Sequence, residues 1–243
     1  MPSVRIWTPE SDYDRDAVCC IAKKIVEYYE CDLKIEYATK QGYNDVARKP
    51  NGLKKAVDIY LKRDDLVIFL IDADGIQSQA QRLKERNSLY NRILEVVHSS
   101  GGRAKLILIL QEVEAWLLVD CLCICCYFTK NIENRANRQW IDFANRKQLG
   151  KTNLIAEATP GGKNAKEYLE ELSKEILIKK NPNLRDKPRN LKELQYDEKQ
   201  SPEIAKVIEI TNQTIRRNDS LAEFAQCLKQ LAEDKSVNAD TGK

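Results

Sequence analysis

The sequence predicts an α/β fold, in which helices cover both faces of a mainly parallel sheet, followed by a helical C-terminal extension. Strand-like and helix-like segments alternate over the first 130 residues, as is typical of a parallel sheet. Two of the strand-like segments, residues 66–71 and 106–110, are apolar throughout, which indicates strands covered on both faces. After residue 130 the pattern is polar and helical. We therefore expect a sheet domain over residues 1–130 and a mostly helical extension over residues 131–243.

Each element follows from local patterning. Residues 33–37 alternate apolar and polar side chains, and residues 16–29 place Ala17, Ile21 and Ile25 on one helix face. The expected strands are residues 4–7, 33–37, 66–71 and 106–110, and the expected helices are residues 16–29, 53–61, 79–97 and 114–126. In the extension the expected helices are residues 165–178, 201–217 and 221–233, and the last eight residues are expected to form a disordered tail.

Composition excludes several classes of protein. With 42% hydrophobic residues the chain can bury a large core, which excludes general disorder. Its 40 basic and 37 acidic residues leave a net charge of +3, which neither requires nor excludes a nucleic-acid partner. The single histidine, His98, argues against zinc proteases and histidine-dependent hydrolases, most of which need several. His98 ends an expected helix, where the helix dipole favours a cation.

The cysteines and apolar segments bear on the cellular compartment. No signal-peptide pattern is present at the N-terminus, and the longest apolar stretch, residues 115–128, is broken by Asp120 and too short to span a bilayer. We therefore expect a cytoplasmic protein with reduced thiols. Four of the eight cysteines lie within residues 121–126 and are interpreted as small buried apolar residues. Metal or redox use of the Cys123 and Cys126 pair is the alternative.

Carboxylates follow three of the expected strands. They are Glu10, Asp12, Asp14 and Asp16 after the first strand, Asp72 and Asp74 after the third, and Glu112 and Glu114 after the fourth. Because the carboxyl ends of parallel strands share one edge, these acids can meet there. Clustered carboxylates repel one another unless a cation lies between them, and Mg²⁺ and Mn²⁺ prefer such oxygen ligands. Any one acid alone is also explained by capping, Asp14 and Asp16 especially, because they begin a helix.

Motifs at these positions resemble the TOPRIM domain, the metal-binding fold of topoisomerases, primases and OLD-type nucleases. The motifs are Glu10-x-x-x-Asp14 after the first strand, Asp72-x-Asp74 after a later apolar strand, and a Glu after the next strand. A small TOPRIM-like family often found beside ABC/SMC-type ATPases is similar over residues 111–118. It is similar in the later part at Asn181-Pro182, Lys192-Glu193-Leu194, Tyr196 and Ile204-Ala205.

The resemblance implies a TOPRIM-type nuclease, or nuclease subunit, that cleaves phosphodiester bonds in defence against phage; DNA is the expected substrate and RNA is the alternative. It implies an ABC/SMC-type ATPase as partner and leaves an oligomer open. Asp72 and Asp74 would bind Mg²⁺ or Mn²⁺, and Glu10 would be a ligand or general base. Asp14 and Glu114 match further acids of the nuclease branch and are expected metal ligands.

Two features of the resemblance leave choices open. Some of these nucleases add a late lysine, for which Lys187, Lys192 and Lys199 are all candidates. Ser11 stands where the family usually has glycine after the first Glu. This departure favours an alternative function, a non-catalytic adaptor of an ATPase complex.

Other enzyme classes fit less well. The segment 72–75, Asp-Ala-Asp-Gly, also resembles the haloacid-dehalogenase type of phosphatase. That family needs Ser or Thr at the end of the next strand, where this chain has Gln111 and Glu112, and a receiver domain fails for the same reason. Neither glycine motif for nucleotide phosphates is present. None of the ten tyrosines is marked as a topoisomerase nucleophile, so hydrolysis is favoured.

Overall fold

A computed structural model describes residues 1–8, 11–44, 49, 51–72, 84–85, 88–109, 112–148 and 164–240, with side chains described up to residue 234. The strands are β1 (Ser3–Trp7), β2 (Lys34–Ala38), β3 (Leu66–Asp72) and β4 (Ala104–Ile109). All are parallel and form one sheet in the order β2-β1-β3-β4. The predicted α/β fold with a parallel sheet is therefore confirmed.

Helices alternate with the strands and then form the C-terminal part. Those before β4 are α1 (Asp12–Tyr28), α2 (Lys40–Gly42), α3 (Gly52–Tyr60) and α4 (Leu89–Ser99). Those after β4 are α5 (Glu114–Leu117), α6 (Cys121–Thr129), α7 (Arg138–Lys147), α8 (Ala165–Lys180), α9 (Pro188–Leu194), α10 (Ser201–Val207), α11 (Asn212–Ile215) and α12 (Asp219–Asp240). Short 3-10 turns are Ile132–Arg135, Pro182–Asp186 and Glu198–Gln200. Beyond residue 130 the described chain is helical, as predicted.

Hydrophobic clusters cover both faces of the sheet. Ile68 and Leu70 of β3 lie in a first cluster with α1 and the C-terminal helices, whereas Val67 and Phe69 lie in a second cluster with α3 and α4. Successive side chains of a strand point to opposite faces, and all four of these are buried. This two-sided burial is the reason for the uninterrupted apolar run in β3.

Helix α1 begins at Asp12 rather than at Asp16, because Ser11 caps it. The Ser11 hydroxyl oxygen accepts hydrogen bonds from the backbone N–H groups of Tyr13 and Asp14. Acids in the first turn are stabilised by the helix dipole. The apolar side of α1 packs on α10 and α12, so the extension covers this face of the sheet.

The predictions of single helices over residues 114–126 and 201–217 are wrong, because side-chain caps divide both segments. Asp120 is the N-cap of α6, and its Oδ1 accepts a hydrogen bond of 3.0 Å from the backbone N–H of Cys123. Thr211 and Thr214 form a capping box at the start of α11. Capping by Asp and Thr offers backbone donors an alternative to a continuous helix, although the apolar spacing runs on.

Other expectations have mixed outcomes. Helices α7 and α9 were not expected from the sequence pattern. His98 lies exposed in the last turn of α4, as predicted, but most of the expected helix before Leu89 lies outside the described residues. The backbone of α12 is helical to Asp240, into the segment predicted to form a disordered tail.

None of the helices in the described ranges has the length and apolarity that crossing a bilayer requires.

Candidate functional site

The carboxyl ends of the strands meet at one edge of the sheet, and the chain reverses its direction of travel across the sheet there. From β1 it passes to β2 on one side, and then to β3 on the other side of β1. Ligand sites in open parallel sheets form at such a switch point, outside the carboxyl ends of the two strands. A site is therefore expected beyond Trp7 and Asp72, the last residues of β1 and β3.

Asp72 occupies this position. It pairs in register with Ile109 of β4. Because Leu70 and Ile109 lie in the first hydrophobic cluster, the alternation along β3 places Asp72 on the same face, which α1 covers. The side chain is partly exposed, whereas the six residues of β3 before it are buried. Asp72 therefore stands at the edge of the sheet, as predicted, and outside the core.

Thr8 supplies a second oxygen at this edge. It directly follows β1, and because Ile6 lies in the first cluster, the same alternation places Thr8 on the face of Asp72. Thr8 is only 3% exposed, and its Oγ1 has no hydrogen-bond partner in the described part of the chain. A buried hydroxyl left without a partner costs about 1–3 kcal/mol, so a ligand that engages it is favoured. Sequence reasoning missed Thr8, although a hydroxyl residue at a strand end was a usable signal.

The other predicted ligands are only partly placed. Asp14 lies partly exposed in the first turn of α1, whereas Glu10 and Asp74 lie outside the described residues. Over the described ranges, no group of three or more Asp, Glu, Cys or His side chains is arranged to hold a metal ion. Asp14, Asp72 and Glu114 therefore do not form a complete site by themselves. The predicted site depends on Glu10 and Asp74 and stays a prediction.

Glu114 begins α5 and is buried, with 4% of its surface exposed. The hydroxyl of Tyr196 donates a hydrogen bond of 2.7 Å to Glu114 Oε1 and lies 2.6 Å from the hydroxyl oxygen of Ser201. Burial raises the pKa of the Glu114 carboxyl, while the hydrogen bond from Tyr196 opposes this shift. The resemblance predicts that Glu114 is a metal ligand. Its contacts suit better a residue that holds the extension against the end of the sheet.

Glu112 is also joined to the extension. The backbone N–H of Lys166, in the first turn of α8, donates a hydrogen bond of 3.1 Å to Glu112 Oε2. Lys166 Nζ forms an ion pair with Glu198, and this contact raises the pKa of Lys166. The negative charges of Glu114 and Glu112 raise it further. Lys166 is thus a cation held beside two strand-end acids, although sequence reasoning considered only later lysines.

A polar cleft of about 560 Å³ lies beside these residues, along α8, α9 and the turn Glu198–Gln200. Its lining includes Lys166, Tyr196 and two of the candidate late lysines, Lys192 and Lys199. The third candidate, Lys187, is exposed and immediately precedes α9. The geometry therefore favours Lys192 and Lys199 over Lys187 as residues near the site.

A larger groove of about 830 Å³ adjoins the polar cleft and shares Glu193 and Gln200 with its lining. Its wall is mostly apolar, with Phe128, Leu177 and Leu184 among the side chains that line it. Glu193 is the one carboxylate in this lining. A divalent cation needs several oxygen ligands, so this groove does not suit the predicted chemistry.

Ser11 does not strain the backbone. Its φ of −144° and ψ of 143° describe extended backbone, which any residue adopts. Glycine is required where φ is positive, and that is not the case here. The replacement of the family glycine by Ser11 therefore does not carry a conformational argument against activity.

The cysteines are all free thiols. The four in α6 are buried, and burial raises the pKa of each of them, that of Cys125 to about 12. Thiolates, not thiols, bind metals and attack disulfides. The structure therefore agrees with the interpretation of these cysteines as buried apolar residues.

Comparisons with protein-family models, curated proteins and solved structures give no match to this chain. The resemblance to TOPRIM domains thus rests on the short motifs quoted above. What the chain does must be inferred from those motifs and from the residues at the carboxyl edge.

Proposed function

We propose that the chain is a TOPRIM-type nuclease, or nuclease subunit, that hydrolyses phosphodiester bonds in DNA with Mg²⁺ or Mn²⁺. The observation that carries the proposal is that Asp72 and the buried hydroxyl of Thr8, which has no hydrogen-bond partner among the described residues, lie on one face at the switch point. Both are hard oxygen donors, the ligands that these cations prefer. In the proposed site Glu10 and Asp74, each two residues further along the chain, complete the donor set.

A cation bound there would supply Lewis-acid chemistry, polarising the scissile phosphate and lowering the pKa of a water molecule. In the proposed site Asp72 and Asp74 hold the cation, and Glu10 is a ligand or accepts the proton of the attacking water. A bond forms between the water oxygen and phosphorus as the bond to the leaving oxygen breaks, and that oxygen takes up a proton. The Thr8 hydroxyl oxygen would be a further ligand of the cation.

The wider proposal is a cytoplasmic enzyme that acts with an ABC/SMC-type ATPase in defence against phage. The motif resemblance supports the partner and the role in defence, and the N-terminal sequence and the cysteines support the compartment. A non-catalytic adaptor of such an ATPase is the second candidate. The observation in its favour is that Glu112 and Glu114, two of the strand-end acids, already bind Lys166 and Tyr196 of the extension.

Divalent-ion binding tests the proposed site. A ligand at 100 times its Kd stabilises the native state by about 2.7 kcal/mol. For a chain of this length, that corresponds to a rise in Tm of about 5–10 °C. We expect Mn²⁺ to raise the Tm relative to EDTA, and Asp72→Asn to remove most of the rise. Asp58→Asn, at an exposed acid of α3 on the other face, is the matched control and should keep it.

Thr8→Val sharpens this test, because valine keeps the shape of threonine without the hydroxyl. Removing an unsatisfied buried hydroxyl should leave the Tm in EDTA unchanged or higher. The rise with Mn²⁺ should become smaller. No rise in the wild-type protein, or an equal rise in Asp72→Asn, would contradict the metal site.

Cleavage separates the two candidate functions. We expect the purified protein, alone or with its ATPase partner, to nick or cut plasmid DNA with Mg²⁺ or Mn²⁺. EDTA and Asp72→Asn should each abolish cleavage, whereas Asp58→Asn should not. Cleavage that survives EDTA would contradict the proposal, and metal binding without cleavage in either condition would favour the adaptor.

A further inference from the structure

Basic residues are concentrated on the surface of the extension, in the part of the sequence that leads to the polar cleft. Residues 179–192 contain six basic residues and one acid: Lys179, Lys180, Arg185, Lys187, Arg189 and Lys192 against Asp186. We call the last four basic residues, Arg185, Lys187, Arg189 and Lys192, the basic strip. All four are exposed, and their side chains form no ion pair or hydrogen bond within the described ranges.

One buried and one partly buried leucine hold the basic strip in place. It spans the turn Pro182–Asp186 and helix α9, which Pro188 begins. Leu184 is buried in the first hydrophobic cluster, and Leu191 packs against it. The cations therefore project from backbone that is anchored on both sides of Lys187.

The spacing of the basic strip suits a nucleic-acid backbone. Residues 185–192 extend over roughly 12 Å, given a rise of about 1.5–2.0 Å per residue. Phosphates of one DNA strand follow one another at about 3.4 Å along the helix axis, so the strip is long enough for three to four of them. Arg189 and Lys192, three residues apart on α9, share one side of that helix.

The basic strip leads to the candidate site. Lys192, at its end, lines the polar cleft together with Tyr196, whose hydroxyl binds Glu114. The acids at the carboxyl edge repel phosphate, so DNA needs a positive surface beside them to approach. The strip supplies such a surface next to the cleft, whose lining carries both signs of charge: Lys166, Lys192 and Lys199 with Glu170, Glu193, Asp197 and Glu198.

We propose that the basic strip binds the phosphate backbone of double-stranded DNA and directs it toward the carboxyl edge; the second half of this statement rests on the proposed function. An acidic protein partner fits the strip less well. Protein interfaces are built around clusters of large apolar or aromatic side chains. Residues 185–192 expose none, and Leu194, at the end of α9, is a single exposed leucine beside the strip. Phosphate binding needs only the cations, and it carries no sequence preference.

Binding of a labelled 30-base-pair duplex, measured by fluorescence anisotropy in EDTA at several salt concentrations, tests the strip. Each phosphate contact contributes about −0.9 to the slope of log K against log salt, so four contacts predict a slope of about −3.6. The triple variant Arg185→Gln/Lys187→Gln/Arg189→Gln should reduce the slope to about −0.9. At 0.1 M salt its affinity should fall by up to about 500-fold.

The control variant is Lys23→Gln/Lys55→Gln/Lys62→Gln, which removes three exposed lysines from the sheet domain. Both triple variants should keep the wild-type Tm, and the control should keep the wild-type slope. Because EDTA removes metal and cleavage from the measurement, a failure of the metal site leaves this result unaffected. An unchanged slope in the strip variant, an equal loss in the control, or no salt-dependent binding by the wild-type protein would overturn the proposal.

Discussion

Replacing Tyr196 with Phe removes one oxygen from the buried polar cluster that joins the extension to the end of the sheet. The Tyr196 hydroxyl donates to Glu114 Oε1 at 2.7 Å and contacts the hydroxyl of Ser201 at 2.6 Å. Both Glu114 and Tyr196 are buried, so water does not replace the lost partner without rearrangement. We expect a loss of stability that depends on pH.

The magnitude follows from the charge state of Glu114. Where the carboxyl is protonated, Tyr196→Phe removes a hydrogen bond between neutral groups, about 1 kcal/mol. Where it is ionised, the loss is about 1.5–3 kcal/mol. Burial raises the pKa of Glu114 above its ordinary value of 4.5, so the folded state holds the proton more tightly than the unfolded state. The stability from this carboxyl is therefore present below pH 4.5 and is lost as pH rises through the raised pKa.

In Tyr196→Phe the stability should fall more between low and high pH than in the wild-type protein, because the substitution removes the hydrogen bond that opposes the rise in the pKa of Glu114. Urea unfolding at pH 4.5 and pH 8 measures the free energy of unfolding of both proteins. We expect Tyr196→Phe to lower it by about 1 kcal/mol at pH 4.5 and by about 2–3 kcal/mol at pH 8. Tyr168→Phe is the control, since the Tyr168 hydroxyl donates to the uncharged carbonyl oxygen of Lys147 at 2.6 Å. A penalty independent of pH, or no larger than that of Tyr168→Phe at pH 8, would refute the reasoning.

Two further predictions concern α6. Asp120→Ala should destabilise the protein by about 2 kcal/mol in urea unfolding, because it removes the N-cap of α6, the acceptor of the Glu209 backbone N–H and one of the two carboxylates that bind Arg135; a loss below about 1 kcal/mol would contradict the capping role. The buried thiols of α6 should react with Ellman's reagent more slowly than Cys20 and Cys31 in the native protein, and at equal rates in urea. Fast native reaction of any α6 thiol would show that the helix is more accessible than its burial indicates.

The sheet could be predicted from the sequence because its signal is local. Residues 66–71 are apolar without interruption, and only a strand covered on both faces or a buried helix needs such a run. Six residues are short for a helix, so the strand was favoured. The break at Asp120 was less visible, because the apolar residues of α5 and α6 continue the spacing through it. A capping side chain favours a break in the helix where the apolar spacing favours its continuation, and periodicity alone does not show which of the two forms.

The candidate site could be predicted only in part. Acids after strands indicate an edge position, and Asp72 lies there. The contact between Glu114 and Tyr196 could not be predicted, because Tyr196 is 82 residues further along the chain and periodicity carries no information about such pairs. Thr8 was missed for a different reason: an unsatisfied hydroxyl is visible only once its neighbours in space are known.

The strand-end acids divide into two kinds that the sequence does not distinguish. Glu112 and Glu114 bind Lys166 and Tyr196, so protein donors offset the cost of holding these carboxylates at the edge. Asp72 is partly exposed at the switch point, where a solvent-borne cation can reach it. The contacts of Glu112 and Glu114 make these two acids less suitable as metal ligands, and the proposed donor set centres on Glu10, Asp14, Asp72, Asp74 and Thr8. The extension then has a defined part beside the proposed site, since it donates hydrogen bonds to the acids after β4 and places lysines in the lining of the cleft.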